Sequence, residues 1–394
     1  MIYRITLIGL CLLMLAGCWS RRELDELLVV VGIGVDWEEG EYLVSFQTVN
    51  PSEISMQKST SDRPPVTLFQ GRGKSVFEAA RSLTAEAPRK VYMGHLQLLI
   101  LSETLAKKGI NDVLDGMLRD NEARMDFHIE IARGMKAEKL LKLYTPLEKL
   151  PTHSMQRSLI TSEKAWAPTV SVTLDEVMNR LSGEGFELAL PGIQLIGDRA
   201  LSESKTNIEK FQPPSRFRYM GIAAFKEDKM IGWLSEKESK GYTDITDNLT
   251  STSIELACGD RKYTGIEVIS SKSKLETKLR NGKPEIIVHI LTEANIVDSP
   301  CMDVDVTDPA TINRLQEETA QVLKSNAEAA VRRAKRMKSD ILGFGNKFGK
   351  EHPGYWKQVE DSWNDQYFPL AKVEFDIELY IRKTGTTGKS TLKK

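Results

Sequence analysis

The residue with the clearest chemistry is Cys18. It closes Leu15-Ala16-Gly17-Cys18, after an apolar run from Ile5 to Leu15 broken by Thr6 and Gly9 and preceded by Arg4. About 11 apolar residues fit a signal-peptide core and fall short of the roughly 20 that cross a bilayer. Small residues before a cleavage point fit a peptidase in extended form. A Cys directly after that point offers a thiol for thioether attachment of a diacylglyceryl group. Leu15, Ala16 and Gly17 therefore read as a lipobox, Cys18 as the lipidation site, and residues 1–17 as a signal peptide that is removed. Two acyl chains hold a protein on a membrane where one does not.

Other constellations are incomplete. The sequence has no phosphate-cradling Walker loop, no Gly-x-Ser-x-Gly elbow, no His-Glu-x-x-His and no Cys-x-x-Cys. Gly71-x-Gly73 lacks a third glycine, and Gly32-x-Gly34 lies inside a strand pattern, which favours close backbone packing. His95, His128, His153, His289 and His352 form no pair at ligand spacing. Asp303, Asp305 and Asp308 hint at a calcium loop. However, Asp308 stands where the sharp-turn Gly belongs and Arg314 where the bidentate Glu belongs, so Asp308 reads better as a helix cap. No catalytic residue, metal site or cofactor is expected, and the chain reads as a non-enzyme.

With Cys11 in the signal peptide and Cys18 lipidated, Cys258 and Cys301 remain. Two separate thiols are the expectation, and a disulfide is the alternative that the compartment permits. The run Arg332, Arg333, Lys335, Arg336, Lys338 reads as a solvated helix face whose charge suits a helix C-terminus, with lipid headgroups as the alternative partner. Trp356 and Trp363, seven apart, read as one buried helix face. The 394 residues carry a formal net charge of -1, so no basic field argues for nucleic acid.

The elements that must position these residues form an α+β (mixed α/β) chain of three domains. A lead-in covers 18–26. An N-terminal α/β domain covers 27–200 and opens with a hairpin around Glu38-Glu39-Gly40-Glu41, followed by a loop over Ser52–Pro65. Its later strands alternate with helices, including a helix over Val172–Leu181 with Thr173 and Glu176 as a capping box. Residues 198–216, with Pro213-Pro214, read as a linker. A small middle α+β domain spans 213–263. The C-terminal α+β domain, 264–384, opens on a hairpin at Asn281-Gly282. A long helix over 309–342 follows, with Asp308 as N-cap and Pro309 at N1, ended by Gly343 and Gly345. Residues 385–394 form a basic, disordered tail.

Several stretches, in order, resemble one family. They are Gly17-Cys18-Trp19-Ser20-Arg21-Arg22-Glu23-Leu24-Asp25-Glu26, Gly32-Ile33-Gly34-Val35-Asp36, Gly94-His95-Leu96-Gln97, Leu105 to Ile110, Arg119 to Arg124, Gly221 to Gly232, and Asp340 to Gly345 followed by Pro353 and Trp356-Lys357. The chain resembles the Ger(x)C lipoproteins, the C subunits of spore nutrient germinant receptors, although an acidic residue is commoner there than Ser20. The resemblance implies a lipid-anchored, non-enzymatic subunit on the outer face of the spore inner membrane, acting with integral-membrane A and B subunits and built from three α/β-type domains. It carries over no catalytic residue, only the lipidation at Cys18. The candidate partner face is Arg119, Asp120, Glu122 and Arg124, a segment that reads equally as a charged helix end. Two other readings are a solute-binding lipoprotein that captures a nutrient directly and, less favoured, a wall hydrolase using two carboxylates.

Overall fold

The computed structural model describes residues 3, 26–55, 63–120, 122–259, 261–301 and 305–383. Cys18, its lipobox, Asp303 and the basic tail lie outside them.

Nine strands form the first sheet: β1 Leu27–Glu38, β2 Glu41–Val49, β3 Val66–Gly73, β4 Lys90–Tyr92, β5 Leu98–Ser102, β6 His128–Ala132, β7 Ala189–Gly197, β8 Ser215–Lys226 and β9 Lys229–Trp233. Their order is β3-β2-β1-β5-β6-β7-β8-β9, with β4 beside the start of β1. The centre, β1-β5-β6-β7, is parallel and both flanks are antiparallel. Parallel strands are covered on both faces and read as unbroken apolar runs, and Leu98 to Leu101 are all fully buried. Glu39 and Gly40, both at positive φ, make the two-residue turn between β1 and β2.

One face of this sheet packs helices Val76–Ser82, Glu103–Lys108, Asn111–Leu118 and Leu174–Leu181, the last opened by the Thr173–Glu176 capping box. The other face packs Ala137–Leu141 and Pro151–Ala165 over Leu98, Ile100 and Ala132. Helices come this close because β1 presents Gly32 and Gly34 there. A Cβ at Gly32 would stand 2.1 Å from Thr152 Cγ2, and one at Gly34 3.0 Å from Leu141 Cδ1. Asp36, next on that face, accepts from the Ala137 and Glu138 amides at 2.8 and 3.3 Å. Burial pushes its carboxyl up to about 6.

The second sheet is β10 Thr252–Ala257, β11 Tyr263–Arg280, β12 Lys283–Asp298 and β13 Lys372–Lys383. β11 and β12 turn at Asn281-Gly282, both at positive φ. β13 returns parallel to β12 after the helix Pro309–Met337, whose N-cap Asp308 accepts from the amides of Ala310 and Thr311.

Several expectations change. β8 and β9, which fall within the span 213–263 read as a middle domain, extend the first sheet. Residues 198–214 are not an open linker: Ser202 and Asn207 are fully buried, and Asn207 binds the Tyr144 carbonyl and both main-chain groups of Ser215. The loop expected at Ser52–Pro65 begins as the helix Pro51–Ser55, and 56–62 lie outside the described residues. The long helix stops at Met337, where Lys338 turns left-handed, and Gly343 instead caps the next helix, Phe344–Glu351. Trp356 and Trp363 are buried with ring centroids 5.4 Å apart, but Trp356 lies in Pro353–Val359 and Trp363 opens a separate turn. Cys258 and Cys301 are joined in a disulfide, their Cα atoms 6.1 Å apart, rather than standing as two thiols. The pairing tethers the end of β10 to the segment leaving β12. Helices Pro151–Ala165 and Glu236–Ile245 were not foreseen.

Candidate functional site

The residues singled out as a partner face come together at the end of helix Asn111–Leu118, and each already has a partner. Arg119 pairs with Asp115 at 2.7 Å, Glu122 with Lys90 at 2.7 Å and Arg124 with Asp126 at 2.6 Å, while Asp120 accepts the Glu122 amide at 2.8 Å. Arg119 and Arg124 stay largely exposed. Surface pairs of this kind contribute little to stability and leave their charge available to solvent.

The basic helix run is similarly engaged. Arg333 Nε donates to the Trp233 carbonyl at 3.2 Å and Lys335 Nζ to the Ala371 carbonyl, while Arg332, Arg336 and Lys338 meet Glu328, Glu238 and Asp365. Arg333, Lys335, Arg336 and Lys338 therefore join the long helix to its neighbours, while Arg332 pairs within it.

The buried carboxylates mark structural nodes. Asp340 is fully buried and accepts from Leu342 N (3.2 Å), Phe344 N (3.2 Å), Gly345 N (2.7 Å) and Trp363 Nε1 (2.8 Å). Burial pushes it up to about 6, against the pull of these donors. A Cβ on Gly345 would lie 2.7 Å from both Trp356 and Trp363. The Asp340 to Gly345 stretch is thus one packed corner.

Glu130 on β6 is fully buried beneath helix Pro151–Ala165. Its Oε1 lies 2.6 Å from Tyr219 Oη, which lies 2.8 Å from the Met155 carbonyl. The carbonyl only accepts, so the one phenolic hydrogen goes to Met155 and the carboxyl must donate to Tyr219. That requires a protonated Glu130, and burial pushes its pKa up to about 8. Glu130 Oε2 has no partner. Glu130, Tyr219 and the Met155 carbonyl thus form one buried node joining β6, β8 and helix Pro151–Ala165.

Open space lies around helix Pro151–Ala165. A groove of about 630 Å³ runs between that helix and β8, and a second of about 540 Å³ lies on the other side of the segment Leu143–Lys149. Among the described residues no group of three His, Cys, Asp or Glu is placed to hold a metal, and no helix is long and apolar enough to cross a membrane.

Two family models cover almost all of this chain. Residues 20–195 match the spore germination protein N-terminal domain, and 220–385 match the spore germination B3/GerAC-like C-terminal domain. The chain belongs to the Ger(x)C family of spore germination proteins. Spore germination protein KC of Bacillus subtilis (strain 168) is 29% identical over 383 residues, 95% of this chain and 94% of that protein. Spore germination protein B3 of the same strain is 22% identical, covering 96% of each chain. Spore germination protein GerQC of Bacillus cereus is also 22% identical, covering 95% and 96%. The crystal structure of the GerBC protein superimposes with a TM-score of 0.55 at 18% identity, over 89% of this chain and 96% of that one, which establishes a shared fold. In this Ger(x)C chain, the Gly32-to-Asp36 and Asp340-to-Gly345 stretches that carried the resemblance are helix-packing and capping positions.

Proposed function

We propose that this Ger(x)C chain is a non-enzymatic subunit of a spore nutrient germinant receptor. It is held on the outer face of the spore inner membrane by a diacylglyceryl thioether at Cys18 and acts there with integral-membrane A and B subunits. The reading is carried by the match to relatives named as spore germination proteins, which spans 95% and 96% of this chain. The lipobox ahead of Cys18 supports the anchor, and the use of Asp36 and Asp340 as acceptors for main-chain amides supports a structural role for these buried carboxylates.

The test uses spores deleted for this gene and complemented with wild type or Cys18→Ala at equal protein level. Loss of the nutrient response on deletion, its return with wild type and its failure with Cys18→Ala are the expected results. Equal rescue by both would remove the anchor from the mechanism. A deletion that leaves every nutrient response intact, with no paralogue present, would remove the receptor reading itself.

A further inference from the structure

Strand β8 is paired on both sides only over its second half. β7 covers it from Ser215 to Ala224, whereas β9 covers Ala223 to Lys226, and Leu234 N reaches the Ile222 carbonyl. Ser215 to Gly221 therefore form an edge about 20 Å long with no strand beside it, on which the Met220 carbonyl accepts from Arg133 Nη1 at 3.3 Å. Asp198 N donates to the Pro214 carbonyl at 2.9 Å, which fixes the parity of the ladder. The main-chain groups of Arg216 and Arg218 then point to β7, and those of Ser215, Phe217 and Tyr219 point outward. Asn207 meets the first of these like one residue of a pairing strand: Ser215 N donates to its Oδ1 at 2.8 Å and its Nδ2 donates to the Ser215 carbonyl at 3.0 Å. Among the described residues nothing pairs the outward groups of Phe217 and Tyr219.

Proteins normally shield such an edge. Here it forms one wall of the 630 Å³ groove. The opposite wall is helix Pro151–Ala165, which presents the small side chains of Ser154, Ser158 and Ser162 at four-residue spacing. Ser215, 1% exposed, also lines the groove, and its buried hydroxyl has no partner among the described residues. The charge is one-sided. Arg133, Arg216 and Arg218 line the groove, and the single acidic lining residue among those described, Glu236, faces Lys240 at 3.6 Å. Arg216 and Arg218 are exposed and meet no carboxylate among the described residues.

We propose that the Ser215–Gly221 edge is a docking site for an acidic, extended segment of a partner protein, which adds to β8 as a further strand. Main-chain bonds to Phe217 and Tyr219 supply the pairing, alternate acidic side chains lie beside Arg216 and Arg218, and the intervening ones face the serine wall. This inference stands independently of the receptor reading.

The test measures amide exchange of the full mature chain with millimolar N-acetylated octapeptides, alternating Glu-Val or alternating Lys-Val. The Phe217 and Tyr219 amides should exchange at least tenfold more slowly with the Glu-Val peptide and be unmoved by the Lys-Val peptide. The double variant Arg216→Glu/Arg218→Glu should reverse that preference, while Arg216→Lys/Arg218→Lys should keep it, both with an unchanged melting point. No slowing with the acidic peptide, or equal slowing with the basic one, overturns the proposal. So does the same slowing produced by N-acetylglutamate at matched carboxylate concentration, which would make the groove a small-carboxylate pocket.

Discussion

Replacing Glu130 by Gln should stabilise the protein, and the gain should depend on pH. In the fold the Glu130 carboxyl donates to Tyr219 and titrates near 8, against about 4.5 in an unfolded chain. Between those values the folded state holds a proton that the unfolded state has released. Wild-type stability therefore falls as pH rises from about 4.5 through 8. At pH 7 the difference spans about 2.5 pH units, and at about 1.4 kcal/mol per unit this amounts to roughly 3 kcal/mol. Gln keeps a donor for Tyr219 Oη and does not titrate. Urea unfolding of wild type and Glu130→Gln should thus differ by under about 1 kcal/mol at pH 5 and by about 3 kcal/mol at pH 7, with a further increase at pH 8. Asp36, Asp244 and Asp340, each pushed up to about 6 by burial, titrate in both proteins and cancel in the difference. A difference that stays constant across this range would refute the protonated-Glu130 arrangement.

Three further outcomes follow from the packing. Asp340→Ala strips the acceptor from three buried amides and the Trp363 indole, and should lower stability by about 3 kcal/mol or more in chemical denaturation. Gly32→Ala places a methyl against Thr152 Cγ2 and should cost about 2 kcal/mol, a loss that adding Thr152→Ser partly restores because Ser lacks that methyl and keeps the hydroxyl bonded to Gln47. A melt under reducing conditions should come down, as should one of Cys258→Ser/Cys301→Ser. Opening a loop of 43 residues corresponds to about 4 kcal/mol in the chain-entropy model, and an unchanged midpoint would mean that the bond does not restrain the unfolded chain.

Local chemistry was legible wherever one short signal dominated. Asn281-Gly282 requires a turn with two positive φ angles, Asp308-Pro309 opens a helix, and Thr173 with Glu176 closes a capping box; all three stand where the residues place them. The helix Pro151–Ala165 was not legible because it buries only Pro151, Thr152, Met155 and Leu159 and is polar elsewhere, so no apolar stripe announced it. Its Pro at N1 was the signal available, as Ser235 with Glu238 was for Glu236–Ile245. The segment before β8 was misread for a related reason. Pro213-Pro214 and polar composition resemble a linker, but a buried Asn207 satisfying three main-chain groups gives that loop a fixed place, and only the tertiary structure supplies those groups. The groove was hidden in the same way, since its two walls come from residues some sixty positions apart.

Strands β8 and β9 have a consequence for inheritance. The C-terminal family region begins at residue 220, inside β8, yet the residues from 220 to Trp233 complete the first sheet. Bonds from Ser339 to the Phe225 carbonyl and from Lys226 to Asp365 fasten that sheet to the corner around Asp340, and one from Trp356 to Glu184 fastens the segment before β7. One apolar cluster runs from Val30 to Ala371. The two regions that relatives share are therefore interleaved like the teeth of a zip. A recombination event that joined halves from two relatives at residue 220 would bring together a β7, a β8 and a seam of different ancestry. Such hybrids should be purged unless both parents match there, so the two halves are bound to descend as one unit.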